Sequence, residues 1–193
     1  MAEKVYQMEY AGHPVTCRFL YPQTRYFFRP LPIRVEGVES DLCVTPELIE
    51  LGRNFLESDS SDPYVEYRCL IELTGRWLLR FGCCIFHSVS FVWRDRAWLL
   101  TAPSGVGKTT QFLNWQRLFP GEITMISGDM PVIEAREDGS VWAHPSAWNG
   151  KEKLSSRTAR TRCKTQEEQR VRHPAEGETE SQVHVRCPGA SVP

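Results

Sequence analysis

Apolar residues recur at two different spacings in the first half of the chain. Before residue 45 they alternate with polar residues in short runs, which predicts strands at Lys4–Tyr10 and Pro14–Leu20. From Tyr64 to Phe81 they recur every three or four residues, which predicts a helix with one buried stripe. Thr45-Pro46 and Asp62-Pro63 each place proline directly after a capping side chain, so we expect helices to begin there, the first running to about residue 57.

A second series of short elements follows Gly82. The apolar run Cys83–Val92 predicts a strand, and Arg94-Asp95-Arg96 predicts the tight turn of a hairpin whose second strand contains Ala97–Leu100. Beyond a loop of small residues, apolar positions at helical spacing predict a helix over Thr110–Phe119. Three further strands are expected, at Ile123–Ile126, Pro131–Ala135 and Ser140–Ala143. This order predicts an α/β fold with a small N-terminal part of strands and a helix.

The composition changes abruptly near residue 155. The segment 155–193 contains no Leu, Ile, Met, Phe, Tyr or Trp. Such a segment buries too little apolar surface to offset its ordering entropy, so we predict that it is disordered. An RNA-binding tail is an alternative, although Glu interrupts its Arg residues and it has no aromatic rings for stacking. The predicted organisation is therefore an N-terminal part (1–60), an incomplete core (61–154) and a tail (155–193).

The overall composition is that of a globular protein. The 193 residues are 41% hydrophobic and 24% charged, with a net charge of −1 that gives no reason to expect nucleic acid or a membrane as partner. No apolar stretch is long enough to span a bilayer, and the N-terminus has no leader-like apolar region, so we expect a cytoplasmic protein. The seven cysteines are odd in number and irregularly spaced, which favours free thiols over a disulfide framework. A metal site at Cys83, Cys84 and His87 is a weaker alternative, because no second ligand pair follows at a zinc-finger spacing.

The chemistry of the chain concentrates in the loop Thr101–Thr110, which reads T-A-P-S-G-V-G-K-T-T. A buried strand followed by small residues and Gly107-Lys108-Thr109 is typical of a phosphate-binding loop, with Ala102 at the position usually held by its first glycine. Small residues let backbone N–H groups approach a phosphate closely, Lys108 supplies a positive charge, and the Thr109 hydroxyl suits Mg²⁺. The alternative interpretation is a glycine-rich turn with a coincidental lysine.

Four motifs in order resemble the HPr-kinase-related proteins of bacteria, whose nucleotide core is shared with HPr kinase/phosphorylase and with ATP-dependent phosphoenolpyruvate carboxykinase. They are F-H-S-V-S-F at Phe86–Phe91, the phosphate loop, a Gly128-Asp129 turn before Pro131-Val132, and H-P-S-A-W-N-G-K-E at His144–Glu152. The resemblance covers about residues 60–155. It implies a nucleotide-binding α/β core of this type.

The resemblance also implies roles for particular residues. Lys108 would neutralise charge during transfer, Thr109 and Asp129 would hold Mg²⁺, and Asp129 would also accept the proton of the acceptor. Lys151, beside Asn149-Gly150, would be a second phosphate contact, whereas His87 and His144 are left without an assigned role. The implied nucleotide-binding residues are Ser104, Gly105, Val106, Gly107, Lys108, Thr109, Thr110 and Lys151.

The function implied is binding of ATP and Mg²⁺-dependent transfer of its γ-phosphoryl group to a serine-type or small-molecule hydroxyl. A non-catalytic nucleotide-binding accessory protein is the main alternative, and carboxykinase chemistry is a third. Because HPr kinases assemble into rings, a homo-oligomer also stays open. Two departures from the resemblance stand out: Met130 follows Asp129 where relatives carry a second charge, and the similarity stops near residue 155. The second leads us to hypothesise a truncated or frame-shifted chain, and an inactive fragment is therefore a further alternative.

Overall fold

The computed structural model describes residues 4–148 and a short strand at residues 161–163, and its first sheet lies in the N-terminal part. Its four strands are arranged in the order β3-β1-β2-β4. The turn between the first two falls at Ala11-Gly12, both with positive φ, and His13 and Pro14 already pair with the first strand. The strands are β1 (Val5–Tyr10), β2 (His13–Arg18), β3 (Ile33–Val35) and β4 (Leu42–Cys43).

Two helices, α1 (Pro46–Arg53) and α2 (Asp62–Leu78), begin where the sequence predicts. The Thr45 hydroxyl accepts a hydrogen bond from the Leu48 N–H at 3.3 Å, so it caps α1 as expected. The helix is shorter than predicted because the next three residues close i→i−3 bonds that tighten the chain into a turn. Gly52 allows α1 to approach α2 closely, since a Cβ there would lie 2.8 Å from the Cys69 sulfur.

The predicted single strand Cys83–Val92 is wrong. The chain forms β5 (Cys83–Ile85) and β6 (Val89–Trp93), which belong to different sheets. The intervening link bonds to another segment: the Phe86 N–H donates to the Pro131 carbonyl at 3.0 Å, and the Ser88 N–H to that of Asp129 at 2.7 Å. These bonds give the backbone N–H groups of the link their hydrogen-bond acceptors while the chain crosses from one sheet to the other.

The central three-stranded sheet has the order β7-β6-β8, with both outer strands antiparallel to β6. The predicted hairpin is confirmed, because Arg94 and Asp95 form its turn with φ of 50° and 58°. The outer strands are β7 (Arg96–Leu100) and β8 (Thr124–Ser127), and the helix between them is α3 (Lys108–Leu118).

The third sheet contains β5 together with three later strands, in the order β11-β10-β9-β5. Its last strand lies inside the segment predicted to be disordered, so that prediction fails for these three residues, and the rest of 155–193 lies outside the described residues. The strand pairs antiparallel with Val141–Ala143, and such backbone pairing needs none of the large apolar side chains that the tail lacks. The later strands are β9 (Val132–Ala135), β10 (Val141–His144) and β11 (Thr161–Cys163).

The fold is therefore mixed α/β, and the described residues form three small sheets around separate apolar clusters. The largest cluster joins the first sheet, both N-terminal helices and Trp148, and thus contains residues from both sides of the predicted boundary at residue 60. Two smaller clusters cover the two faces of the central sheet, one of them beneath α3. Among the helices of the described residues, none is long and apolar enough to cross a bilayer.

Candidate phosphate-binding site

Three segments that contain candidate functional residues converge at one edge of the central sheet. Since β7 and β8 are both antiparallel to β6, they run parallel to each other, and their carboxyl ends lie at the same edge, where β6 begins. The phosphate loop follows β7, Asp129 follows β8 and His87 precedes β6. Ligands of α/β proteins commonly bind at the carboxyl ends of parallel strands.

The loop has the backbone geometry that its glycines allow. Gly105 and Gly107 have φ of 83° and 100°, in the region that other residues rarely adopt. Gly107 caps α3, so Lys108 is the first residue of that helix and its N-terminal N–H groups lie at the end of the loop. Residues 103–106 are exposed to solvent. This combination gives an accessible loop with a helix N-terminus at its end, as an anion site requires.

The Lys108 side chain reaches back across the loop. Its ammonium lies 2.8 Å from the Ala102 carbonyl oxygen and 3.4 Å from that of Pro103. These contacts hold the positive charge inside the curve of the loop, next to the end of β7.

The position of the helix is fixed by an aromatic contact with the sheet. Phe112 of α3 is fully buried, and its ring centroid lies 5.5 Å from that of Phe91 at the centre of β6. Because Phe112 follows Lys108 by one helical turn, this packing also fixes where α3 begins.

Asp129 pairs with a histidine that the sequence left without a role. His87 Nε2 lies 3.1 Å from Asp129 Oδ1, and both side chains are partly exposed. The backbone reinforces the pair, because Ser88 N–H donates to the Asp129 carbonyl. The Thr101 hydroxyl, at the start of the loop, donates to the His87 carbonyl at 3.3 Å. The loop and the His87–Asp129 pair are therefore directly connected.

Burial and, after it, the negative charge of Asp129 raise the pKa of Tyr67 to about 12. Its phenol therefore stays protonated near the carboxylate at neutral pH.

Met130, the residue after Asp129, is packed against the core, whereas the Asp129 side chain is partly exposed. Met130 packs against the main core, its N–H donates to the Trp148 carbonyl at 3.2 Å, and its carbonyl accepts from the Ser146 hydroxyl at 2.5 Å. The position at which the resemblance expects a second charge is thus occupied by a packed apolar side chain.

Thr110 is exposed on the first turn of α3, directly after Thr109. His144 lies elsewhere, 2.7 Å from Glu134 in the third sheet. Asn149, Gly150 and Lys151 lie outside the described residues.

The described residues bring few possible metal ligands together at this site. Among the residues described by the structure, no three His, Cys, Asp or Glu side chains form a group that could hold a metal ion, so Cys83, Cys84 and His87 do not form the alternative metal site. Mg²⁺ bound with a nucleotide needs only one or two protein ligands besides phosphate and water. Thr109 at the start of α3 and Asp129 at the same sheet edge fit that smaller requirement.

No family model, curated protein or solved structure matches this chain. The resemblance to HPr-kinase-related proteins therefore stays a prediction from the order of motifs. The geometry of the site supplies the remaining arguments about function.

Proposed function

We propose that the chain binds a nucleoside triphosphate, ATP being the leading candidate, and transfers its γ-phosphoryl group to an acceptor hydroxyl. The observation that carries the proposal is the convergence of the loop and the His87–Asp129 pair at one edge of the central sheet. Phosphoryl transfer depends mainly on positioning and electrostatics. A phosphate-binding loop would position the donor, and a carboxylate next to it would accept the proton of the acceptor hydroxyl.

The loop residues would bind the triphosphate. Backbone N–H groups from Ser104 to Thr109 would donate to phosphate oxygens, and the N-terminus of α3 would favour their negative charge. The Lys108 ammonium, bonded to the Ala102 and Pro103 carbonyls, would exchange these neutral acceptors for charged ones, which form stronger hydrogen bonds.

Mg²⁺, when bound, would neutralise part of the phosphate charge. The Thr109 hydroxyl and the Asp129 carboxylate are the groups that would hold it.

The proton of the acceptor hydroxyl would pass to the Asp129 carboxylate. His87 at 3.1 Å orients that carboxylate, and Thr101 in turn fixes the backbone of His87. Because the pair is partly exposed, an acceptor hydroxyl can reach it from solvent.

The test of catalysis is Asp129→Asn in an assay for Mg²⁺-dependent phosphotransfer from ATP. The amide cannot take a proton from the acceptor, so we expect turnover to fall by about 10²–10⁴-fold while nucleotide binding survives. Asp95→Asn, in the hairpin turn at the opposite end of the same sheet, is the matched control and should leave turnover unchanged. Full turnover in Asp129→Asn would exclude the proposed base.

One observation favours a second function, nucleotide binding without catalysis. The packed Met130 stands where a second charge is expected, which leaves Asp129 as the single carboxylate after β8 in the turn. In that case Lys108→Ala would abolish nucleotide binding, and neither the unaltered chain nor Asp129→Asn would show turnover.

A further inference from the structure

The His87 imidazole has one nitrogen next to a carboxylate and a second nitrogen that is not engaged. Nε2 lies 3.1 Å from Asp129 Oδ1, and 44% of the His87 side chain is exposed. An ionised carboxylate can only accept hydrogen bonds, so this contact favours the neutral tautomer with its proton on Nε2 and a lone pair on Nδ1. Among the residues that the structure describes, none bonds to Nδ1. This nitrogen is therefore free to act as a nucleophile.

The carboxylate that contacts Nε2 is itself held in place. The Ser88 N–H donates to the Asp129 carbonyl at 2.7 Å, so the backbones on both sides of the contact are joined. A histidine attacks more readily when a fixed carboxylate lies at its other nitrogen, because the carboxylate stabilises the positive charge that the ring gains. The His87–Asp129 pair therefore has the arrangement of a nucleophile and the base that activates it.

The ladder of the central sheet places His87 beside the start of the phosphate loop. Val89 pairs with Leu100, so the residues before Val89 lie next to those after Leu100. The Thr101 hydroxyl donates to the His87 carbonyl at 3.3 Å, and the next carbonyl along the loop lies 2.8 Å from the Lys108 ammonium. One hydrogen bond and one peptide unit thus separate the His87 backbone from the group that contacts the charge expected to hold the outer phosphates.

We propose that His87 is the first acceptor of the γ-phosphoryl group, an inference that rests on the proposed function for binding of the nucleoside triphosphate. The Nδ1 lone pair attacks the γ-phosphorus, an N–P bond forms, and the bond to the leaving nucleoside diphosphate breaks. The Nε2 proton passes to Asp129. In the second step the acceptor oxygen attacks the phosphorus, the N–P bond breaks, and Asp129 returns its proton to Nε2. Asp129 then takes the proton of the acceptor hydroxyl.

The first experiment uses phosphoramidate, a small phosphoryl donor that needs no nucleotide site. Its P–N bond breaks, ammonia leaves, and the phosphoryl group passes to a histidine nitrogen. Peptide mass spectrometry at alkaline pH compares the rate at His87 with that at His13, a partly exposed histidine in the first sheet. We expect His87 to react faster, and its rate to fall about tenfold or more in Asp129→Asn, because the ring loses the charge that stabilises it. Equal rates at both histidines, or an unchanged rate in Asp129→Asn, would overturn the inference.

The second experiment supplies MgATP labelled at its γ-phosphorus, without an added acceptor. An N–P bond is stable in alkali and broken by acid, whereas a serine phosphate resists acid. We expect an acid-labile label at His87 that Lys108→Ala abolishes and that His13→Gln leaves unchanged. His87→Gln keeps an N–H donor for Asp129 but removes the ring nucleophile. It should lose both the label and transfer to a hydroxyl acceptor, while the rise in Tm with MgATP persists and shows that its loop is intact.

The outcomes separate this inference from the proposed function. Transfer to a hydroxyl acceptor that persists in His87→Gln would overturn the inference, because His87 would then only orient Asp129, and would leave the proposed function intact. An acid-stable label in place of the acid-labile one would overturn it in the same way. Failure of MgATP to bind would overturn both, whereas the phosphoramidate reaction would still show whether His87 is a nucleophile.

Discussion

Glu134 is a carboxylate outside the candidate site whose pKa the surrounding residues lower. Its carboxylate lies 3.0 Å from Arg136 and 2.7 Å from the buried His144. Burial raises the pKa of Glu134, but hydrogen bonds from Arg136 and His144, together with their positive charges, lower it below its ordinary value. Arg136 also stacks over Trp142, with its guanidinium 4.1 Å from the ring centroid. The network ties β9 to β10.

We predict that Glu134→Gln lowers the free energy of unfolding at pH 7 by about 1–3 kcal/mol, because charged hydrogen bonds are lost. A lowered carboxyl pKa means that the unfolded chain takes up the proton first as the pH falls. The contribution of Glu134 is therefore present above its ordinary pKa of 4.5 and is lost below it. Urea unfolding of both chains at pH 7 and pH 4 measures the difference. A difference in unfolding free energy between the two chains that is larger at pH 4 than at pH 7 would contradict a lowered pKa of Glu134.

His87 illustrates what sequence alone leaves open about single residues. Its position before an apolar run is compatible with a core residue, a ligand or a positioning group. The contact with Asp129 arises only because the link Phe86–Ser88 bonds to the segment Asp129–Pro131, which lies far away in the chain. Neither spacing nor composition encodes that pairing.

At the scale of elements, the starts of α1 and α2 were predictable because their causes are local, whereas the early end of α1 was not. Thr45 and the prolines at Pro46 and Pro63 determine where α1 and α2 begin, and Gly82, with φ of 68°, ends the 3₁₀ turn after α2. The split between β5 and β6 was not predictable, since its cause is hydrogen bonding to a distant segment.

The cap of α1 supplies a prediction at this scale. Thr45→Ala should lower the free energy of unfolding by about 1 kcal/mol, because the Leu48 N–H loses its acceptor. It should also raise the pKa of Glu47, which the hydrogen bond with the Thr45 side chain lowers. Urea unfolding measures the first effect, and Thr45→Ser, which keeps the hydroxyl, should stay close to the unaltered chain. Equal losses in both variants would show that the methyl group, not the cap, matters.

At the scale of the molecule, the mixed α/β class followed from the sequence, whereas the division into three sheets did not. Alternating runs predict strands but not their partners, and β5 pairs with β9 rather than with the adjacent β6. The same limit applies to the site. A phosphate-binding loop was predicted from Gly107-Lys108-Thr109, but the edge that this loop shares with Asp129 depends on the antiparallel β6 lying between β7 and β8.

The central claim is that the loop binds a nucleoside triphosphate, and thermal unfolding with and without MgATP tests it most directly. A ligand at 100 times its Kd stabilises a protein by about 2.7 kcal/mol, which is a rise of several degrees in Tm for a chain of this size. We predict that rise in the unaltered chain and in Arg117→Ala, an exposed charge near the other end of α3, and its loss in Lys108→Ala. A cooperative transition that MgATP does not move, or one that moves equally in Lys108→Ala, would contradict the account.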